Sequence, residues 1–170
     1  MLELRQAHPR RQGDIGEASA IALLTRAGFG VWVPLGHSPD ADLIAERDRR
    51  LFRVQVKTST ALRNDRYEVS LATKGGNQSW SGRVKTMDRT RFDYLFVLVA
   101  DGRQWFIPAD GVAATTVLLL GGPKYAAFEV DGGRADLWGR EDSNLCRQSQ
   151  WVYSPSPLTT RTLPRVGREF

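Results

Sequence analysis

Cysteine and histidine are nearly missing from this chain. Its 170 residues hold one cysteine, Cys146, and two histidines, His8 and His37. A lone cysteine excludes an internal disulfide and a cysteine-rich zinc site. Two isolated histidines give no imidazole cluster for a metal. Long hydrophobic runs are missing as well. No stretch approaches the roughly 20 apolar residues that span a bilayer, and the opening MLELRQAHPRRQ has no apolar signal core. A cytoplasmic protein with no membrane partner is expected.

What is present is a hydrophobic content of 41% and a charged content of 25%, which suit one globular domain long enough to bury a core. The net charge of +5 favours a polyanionic partner, because lysines and arginines that neutralise phosphates gain free energy by releasing counterions. The distribution says more than the total. Lys74, Arg83, Lys85, Arg89 and Arg91 lie in one polar stretch with a single acid, Asp88, as expected of a segment that meets phosphate.

Local patterns give the elements. Asp14 to Gly28 reads as a helix with Asp14 as N-cap, Glu17 three residues on as in a capping box, and Arg26 and Gly28 as stop signals. Ile21 and Leu24 follow Glu17 by four and seven residues, so the three share a face and Glu17 tilts toward whatever that face packs on. Val31 to Val33 reads as a short strand ended by Pro34. Asp42 to Ala45 and Leu51 to Lys57 read as strands joined by the charged turn Glu46 to Arg50, and Tyr67, Val69 and Leu71 alternate in a third, completing a meander. Within Leu51 to Lys57, Phe52, Val54 and Val56 point one way and Leu51, Arg53, Gln55 and Lys57 the other. Gln55 and Lys57 therefore share a face.

Further on, Asp88 to Phe92 reads as a short helical stretch, and the apolar run Tyr94 to Ala100 as a strand buried on both faces. Asp101 and Gly102 turn the chain into a strand, Trp105 to Ile107, closed by Pro108. Val117 to Leu120 and Tyr125 to Val130 read as strand or helix pieces. From Ser154 onward Pro155, Pro157 and Pro164 with several threonines make a basic tail of disordered composition, so the expected division is a domain over 1–153 and a tail over 154–170. There is no internal repeat.

Chemistry-bearing residues fall in two short segments, Pro39-Asp40-Ala41-Asp42 and Gln55-Val56-Lys57. Paired as a hairpin, they would gather carboxylates, an amide oxygen and an ammonium group at one point. Cleaving a phosphodiester needs a positioned water, a cation to absorb charge on phosphate oxygens and help for the leaving oxygen. Hard oxygen ligands suit magnesium, commonly held by one or two carboxylates, so Asp42 with Glu17 would suffice, and Gln55 and the main-chain carbonyl of Val56 could add oxygens. Lys57 could orient or deprotonate the water, or stabilise developing negative charge. Taken singly, each motif has a plain reading: Gln55 and Lys57 as an exposed strand face, Glu17 as half of a capping box, Asp42 as the start of a strand. Their joint order favours a site. His37, Cys146 and Trp80 read as loop or core residues, although Trp80 in its polar loop could stack on a base.

The succession Gly13-Asp14-Ile15-Gly16-Glu17, Pro39-Asp40-Ala41-Asp42-Leu43-Ile44, Val54-Gln55-Val56-Lys57-Thr58 resembles the PD-(D/E)XK nuclease superfamily. It is similar in particular to the group I intron homing endonuclease branch and more distantly to archaeal Holliday junction resolvases. The resemblance covers roughly residues 12–108. It implies an α/β, restriction-endonuclease-like core of a helix, a three-strand meander, a second helix and a further strand, built on a mixed central sheet. It also implies magnesium-dependent cleavage of DNA, with Mn²⁺ able to substitute, and a homo-oligomer, dimer or tetramer, so that two sites reach two strands. By motif position Glu17 matches the helix glutamate, Asp42 the aspartate, Gln55 the D/E position and Lys57 the lysine. Asp40 completes the literal Pro-Asp pair, but Asp42 precedes the Leu-Ile strand as the family aspartate does. Gln55 removes one negative charge, which weakens metal binding, although the homing branch carries that glutamine. The alternatives are a structure-selective nuclease or junction resolvase and, in another class, a non-catalytic DNA-binding protein on a degenerate nuclease fold.

Overall fold

The computed structural model describes residues 4–36, 41–74 and 84–130, with the backbone alone for residues 73, 74, 84 and 85. Its helix α1 runs Pro9–Arg26 and begins earlier than the Asp14 signal suggested. Proline at the first helical position sacrifices no hydrogen bond and presets φ. The cap is His8, whose Nδ1 accepts the Arg10 N–H at 3.4 Å. Asp14 and Glu17 consequently sit inside the helix, and the capping-box reading gives way to His8 with Pro9. The end is as expected. Ala27 N–H bonds to the Leu23 carbonyl at 3.0 Å, and Gly28 takes the left-handed conformation, φ +83°, that stops helices. Gly16, Ala20, Leu23 and Leu24 form the buried stripe of α1, which Glu17 borders and Ile21 half joins.

The strands, in chain order, are β1 (Gly30–Trp32), β2 (Leu43–Arg47), β3 (Arg50–Ser59), β4 (Leu62–Arg63), β5 (Arg66–Ser70), β6 (Thr73–Lys74), β7 (Val84–Lys85), β8 (Tyr94–Val99), β9 (Gln104–Pro108), β10 (Val117–Leu120) and β11 (Glu129–Val130). A six-stranded sheet runs β1-β2-β3-β8-β9-β11, a three-stranded sheet runs β10-β5-β4, and β6 pairs with β7. The large sheet is mixed, because β3 and β8 are parallel and the other neighbours antiparallel. Arg47 pairs with Arg50, which leaves the two-residue turn Asp48-Arg49 with φ of 52° and 63°, the positive values that a tight hairpin demands.

The two sheet faces carry two cores. Val54 and Val56 of β3 lie with Phe96 and Leu98 of β8 beneath Ala20, Leu23 and Leu24 of α1. On the other face Leu95, Val97 and Val99 of β8 meet Trp105 and Ile107 of β9, with Tyr67, Val69, Leu118 and Leu120 of the small sheet laid over them. The apolar run 94–100 is thus buried on both faces, as its composition required. Alternation located the strand at Tyr67 but not its partners: β5 joins β4 and β10 in the small sheet, and the meander of the large sheet is β1-β2-β3. The helical stretch near Asp88 is a single 3-10 turn, Arg89–Arg91. Residues Pro123–Phe128 form a longer 3-10 segment that leads into β11. All described residues fall in one compact unit, Met1–Leu137, and among them no helix is long and apolar enough to cross a membrane. The tail from Ser154 lies outside the described residues, as do His37, Asp40, Trp80 and Cys146.

Gly16 sets how closely α1 approaches β3. A Cβ there would lie 2.5 Å from Thr58 Cγ2 and 3.2 Å from Val56 Cγ1. Gly16→Leu is expected to lower the unfolding free energy by about 1–3 kcal/mol through overpacking, a loss larger than the helix-propensity gain of up to about 1 kcal/mol. Urea denaturation measures it. An unchanged midpoint would mean that this contact does not govern the packing of α1.

Candidate active site

The β2–β3 hairpin brings Asp42 to Gln55 and Val56. Leu43 pairs with Val54, and the residue before it, Asp42, also turns its N–H to the Val54 carbonyl, at 3.0 Å. One carboxylate oxygen of Asp42, Oδ2, accepts two donors: the Gln55 side-chain Nε2 and the Val56 main-chain N–H, the latter at 2.6 Å. In an antiparallel ladder a residue exchanges its N–H and its C=O with the same neighbouring strand. Val56 lies beyond the last β2–β3 pair; the same pattern continued past it would turn its carbonyl to the side of its N–H, toward Asp42. Gln55 presents its amide nitrogen to Asp42. Half a turn about its soft terminal torsion would bring Oε1 to the same place.

Lys57 follows Gln55 by two residues on the same strand face, roughly 6–7 Å along β3 by strand rise, and is half-buried. Alternation alone foretold this. Glu17 arrives from α1. Burial first, then the negative charges of Asp42 and Asp14, push its carboxyl above the ordinary glutamate pKa. Glu17 thus senses Asp42 electrostatically, as two carboxylates of one site would.

That repulsion bears on what the site could hold. Two mutually repelling carboxylates, an amide and a main-chain carbonyl are all oxygen donors, the set that a hard divalent cation accepts. Among the described residues no group of three or more His, Cys, Asp or Glu side chains is arranged to hold a metal ion. A cation held here would have to draw on the neutral oxygens of Gln55 and Val56 as well as on Asp42 and Glu17.

Glu17 also yields a prediction of opposing effects. A carboxyl whose folded pKa lies above its unfolded value favours the fold when protonated. That contribution is fully present below the ordinary glutamate range and is lost as pH rises through the raised value. Glu17→Gln is accordingly expected to melt slightly higher than the parent at neutral pH, with the difference closing at acid pH. Scanning calorimetry at the two pH values reads it, and a variant that melts lower at neutral pH would contradict it.

The expected DNA-contact residues divide. Lys74 and Lys85 lie on the β6–β7 pair, where Lys74 opposes Val84 and Thr73 opposes Lys85, and Arg83 lies outside the described residues. Arg89 donates from Nη1 to the Val112 carbonyl at 3.0 Å, so it braces a loop. Arg91 sits 3.6 Å from Asp88, a solvent-exposed pair worth little. Sequence reasoning missed a different cation. Arg53, on the Gln55 face, forms an ion pair with Asp93 at 3.2 Å, and no pattern of spacing links residues 40 apart.

The PD-(D/E)XK endonuclease family matches residues 7–125, more than half of the chain, and the chain belongs to that family, a class of nucleases. Among solved structures, the bacterial homing endonuclease I-Ssp6803I matches with a TM-score of 0.63 and 22% identity, over 72% of this chain and 89% of its own. At that identity the likeness is one of fold. Comparison with curated proteins finds no match.

Proposed function

We propose that the chain is a metal-dependent DNA endonuclease that hydrolyses phosphodiester bonds in duplex DNA, in the manner of homing or restriction enzymes. The observation that carries this reading is the meeting of Asp42 with Gln55 and Val56, with Lys57 next on the same face. Asp42, Glu17, the Gln55 amide oxygen and the Val56 carbonyl would hold the cation, Mg²⁺ by donor chemistry with Mn²⁺ able to replace it. When bound, such an ion polarises a phosphate oxygen and eases deprotonation of water. Lys57 would orient the attacking water or neutralise charge growing on the phosphate. Lys74, Arg83, Lys85, Arg89 and Arg91 would line the path of the backbone, and a dimer or tetramer would bring a second site to the second strand.

Gln55 favours a second reading. With one charge fewer than an Asp or Glu at that position, the site could have lost catalysis and kept DNA binding. Incubation of the full chain with linear duplex and four-way junction DNA, in Mg²⁺ or in chelator, separates these readings. Cleavage of duplex in Mg²⁺ alone is expected. Cutting of junctions only would favour a resolvase, and binding without cutting would favour the non-catalytic protein.

A further inference from the structure

The strand that carries Gln55 and Lys57 changes neighbours along its length. From Arg50 to Val54 it pairs with β2, and from Val54 to Ser59 with β8. At the changeover the partner on the β8 side is Asp93, one residue before β8 begins. The Asp93 N–H bonds to the Arg53 carbonyl at 2.8 Å, and the Asp93 carboxylate accepts the Arg53 N–H at 2.7 Å. A side chain thus stands in for the main-chain acceptor that a longer β8 would supply. The Arg53 guanidinium returns to the same carboxylate, Nε to Oδ2 at 3.3 Å and Nη2 to Oδ1 at 3.2 Å, and Nη2 also donates to the Thr90 carbonyl at 3.2 Å.

This cluster joins two parts of the molecule. On one side is β3, two residues before Gln55 and four before Lys57. On the other is the 3-10 turn Arg89–Arg91, which Asp88 caps by accepting Thr90 N–H at 3.0 Å and Thr90 Oγ1 at 2.7 Å. Strand alternation puts Gln55 and Lys57 on one face, where the Gln55 amide reaches Asp42, and a slip of one residue would turn both to the opposite face. The parallel pairing of Gln55 with Leu95 and Lys57 with Val97 starts immediately beyond the cluster. Arg53 and Asp93 are about as exposed as Arg91 and Asp88, so their charge attraction itself adds little; the forked geometry anchored on the main chain is what fixes their arrangement.

We infer that Arg53 and Asp93 are positioning residues for the proposed hydrolysis: together they pin the register of β3 and tie it to the basic turn that precedes β8. The inference rests on the nuclease reading for its kinetic consequence. Its structural consequence stands apart from that reading.

The test compares the full-length parent with Asp93→Ala, Asp93→Asn and Arg53→Ala. Single-turnover cleavage at saturating duplex DNA is expected to fall about 10–100-fold in Asp93→Ala, the scale of a small misplacement at a reacting centre. DNA affinity measured in chelator should stay within about threefold, since no phosphate contact is removed. Asp93→Asn keeps one oxygen for the Arg53 N–H and should recover part of the lost rate, which a general loss of stability would not reproduce. Rates are taken per folded molecule, with the folded fraction read by circular dichroism at the assay temperature. Hydrogen exchange supplies the readout independent of cleavage: the amides of residues 53–57 should exchange faster in Asp93→Ala than in the parent, while those of α1 do not. A parent that cuts no DNA would sink the nuclease reading and leave the exchange result to decide the pin. Unchanged exchange at residues 53–57, or variant cleavage within about twofold of the parent where the misplacement scale requires more, would overturn it.

Discussion

Asp42→Asn is expected to reduce single-turnover DNA cleavage by about 10³-fold, the upper range for removing one preorganised electrostatic group from a reacting centre, with the fold intact. The reason lies in what the carboxylate does twice. It accepts the Val56 N–H and the Gln55 amide, so it ties the start of β2 to β3, and it supplies one of the two formal negative charges at the proposed cation site. Asparagine keeps an oxygen for the Val56 N–H and removes the charge. Asp42→Ala removes both, and it should cost in addition about 1–3 kcal/mol of stability from donors left unsatisfied. Cleavage kinetics together with urea unfolding separate the two effects. If Asp42→Asn cut DNA as fast as the parent, the cation site would have to be elsewhere.

Lys57→Ala is expected to lower cleavage by about 10²–10³-fold while DNA binding in chelator weakens by no more than one lost phosphate contact would allow. Lys57 is half-buried on the Gln55 face and is placed by β3, which pairs there with Val97 of β8, so its truncation disturbs little else. A loss of binding equal to the loss of cleavage would make Lys57 a DNA-backbone contact and remove it from the chemistry. Lys57→Arg should rescue poorly, because a planar fork does not replace a compact ammonium at a position set by strand geometry.

The way these residues came to light explains which parts of the fold a sequence can reveal. Gln55 and Lys57 could be placed on one face because strand alternation is local, and Val54 and Val56 could be assigned to the core for the same reason. The run Tyr94 to Ala100 declared itself a doubly buried strand by having no polar face. Gly28 marked the end of α1 because its backbone conformation is costly for other residues. The start of α1 was legible too, but in Pro9 rather than in Asp14: proline at a first helical position is as strong a signal as a capping box. What could not be read is non-local. The alternation at Tyr67 announces a strand and is silent about its sheet, which is decided by β10 some fifty residues later. The Arg53–Asp93 cluster joins residues that no periodicity connects. The electrostatic link of Glu17 to Asp42 likewise depends on α1 packing at the distance that Gly16 permits.

The most direct measurement is a titration of Mg²⁺ into the full chain with duplex DNA under single-turnover conditions, run in parallel on Asp42→Asn. A cation site at Asp42 predicts a cleavage rate that rises with Mg²⁺ and saturates in the parent, and that stays near background in the variant throughout the titration. Cleavage by the parent in excess chelator, or equal rates in the two proteins, would contradict it.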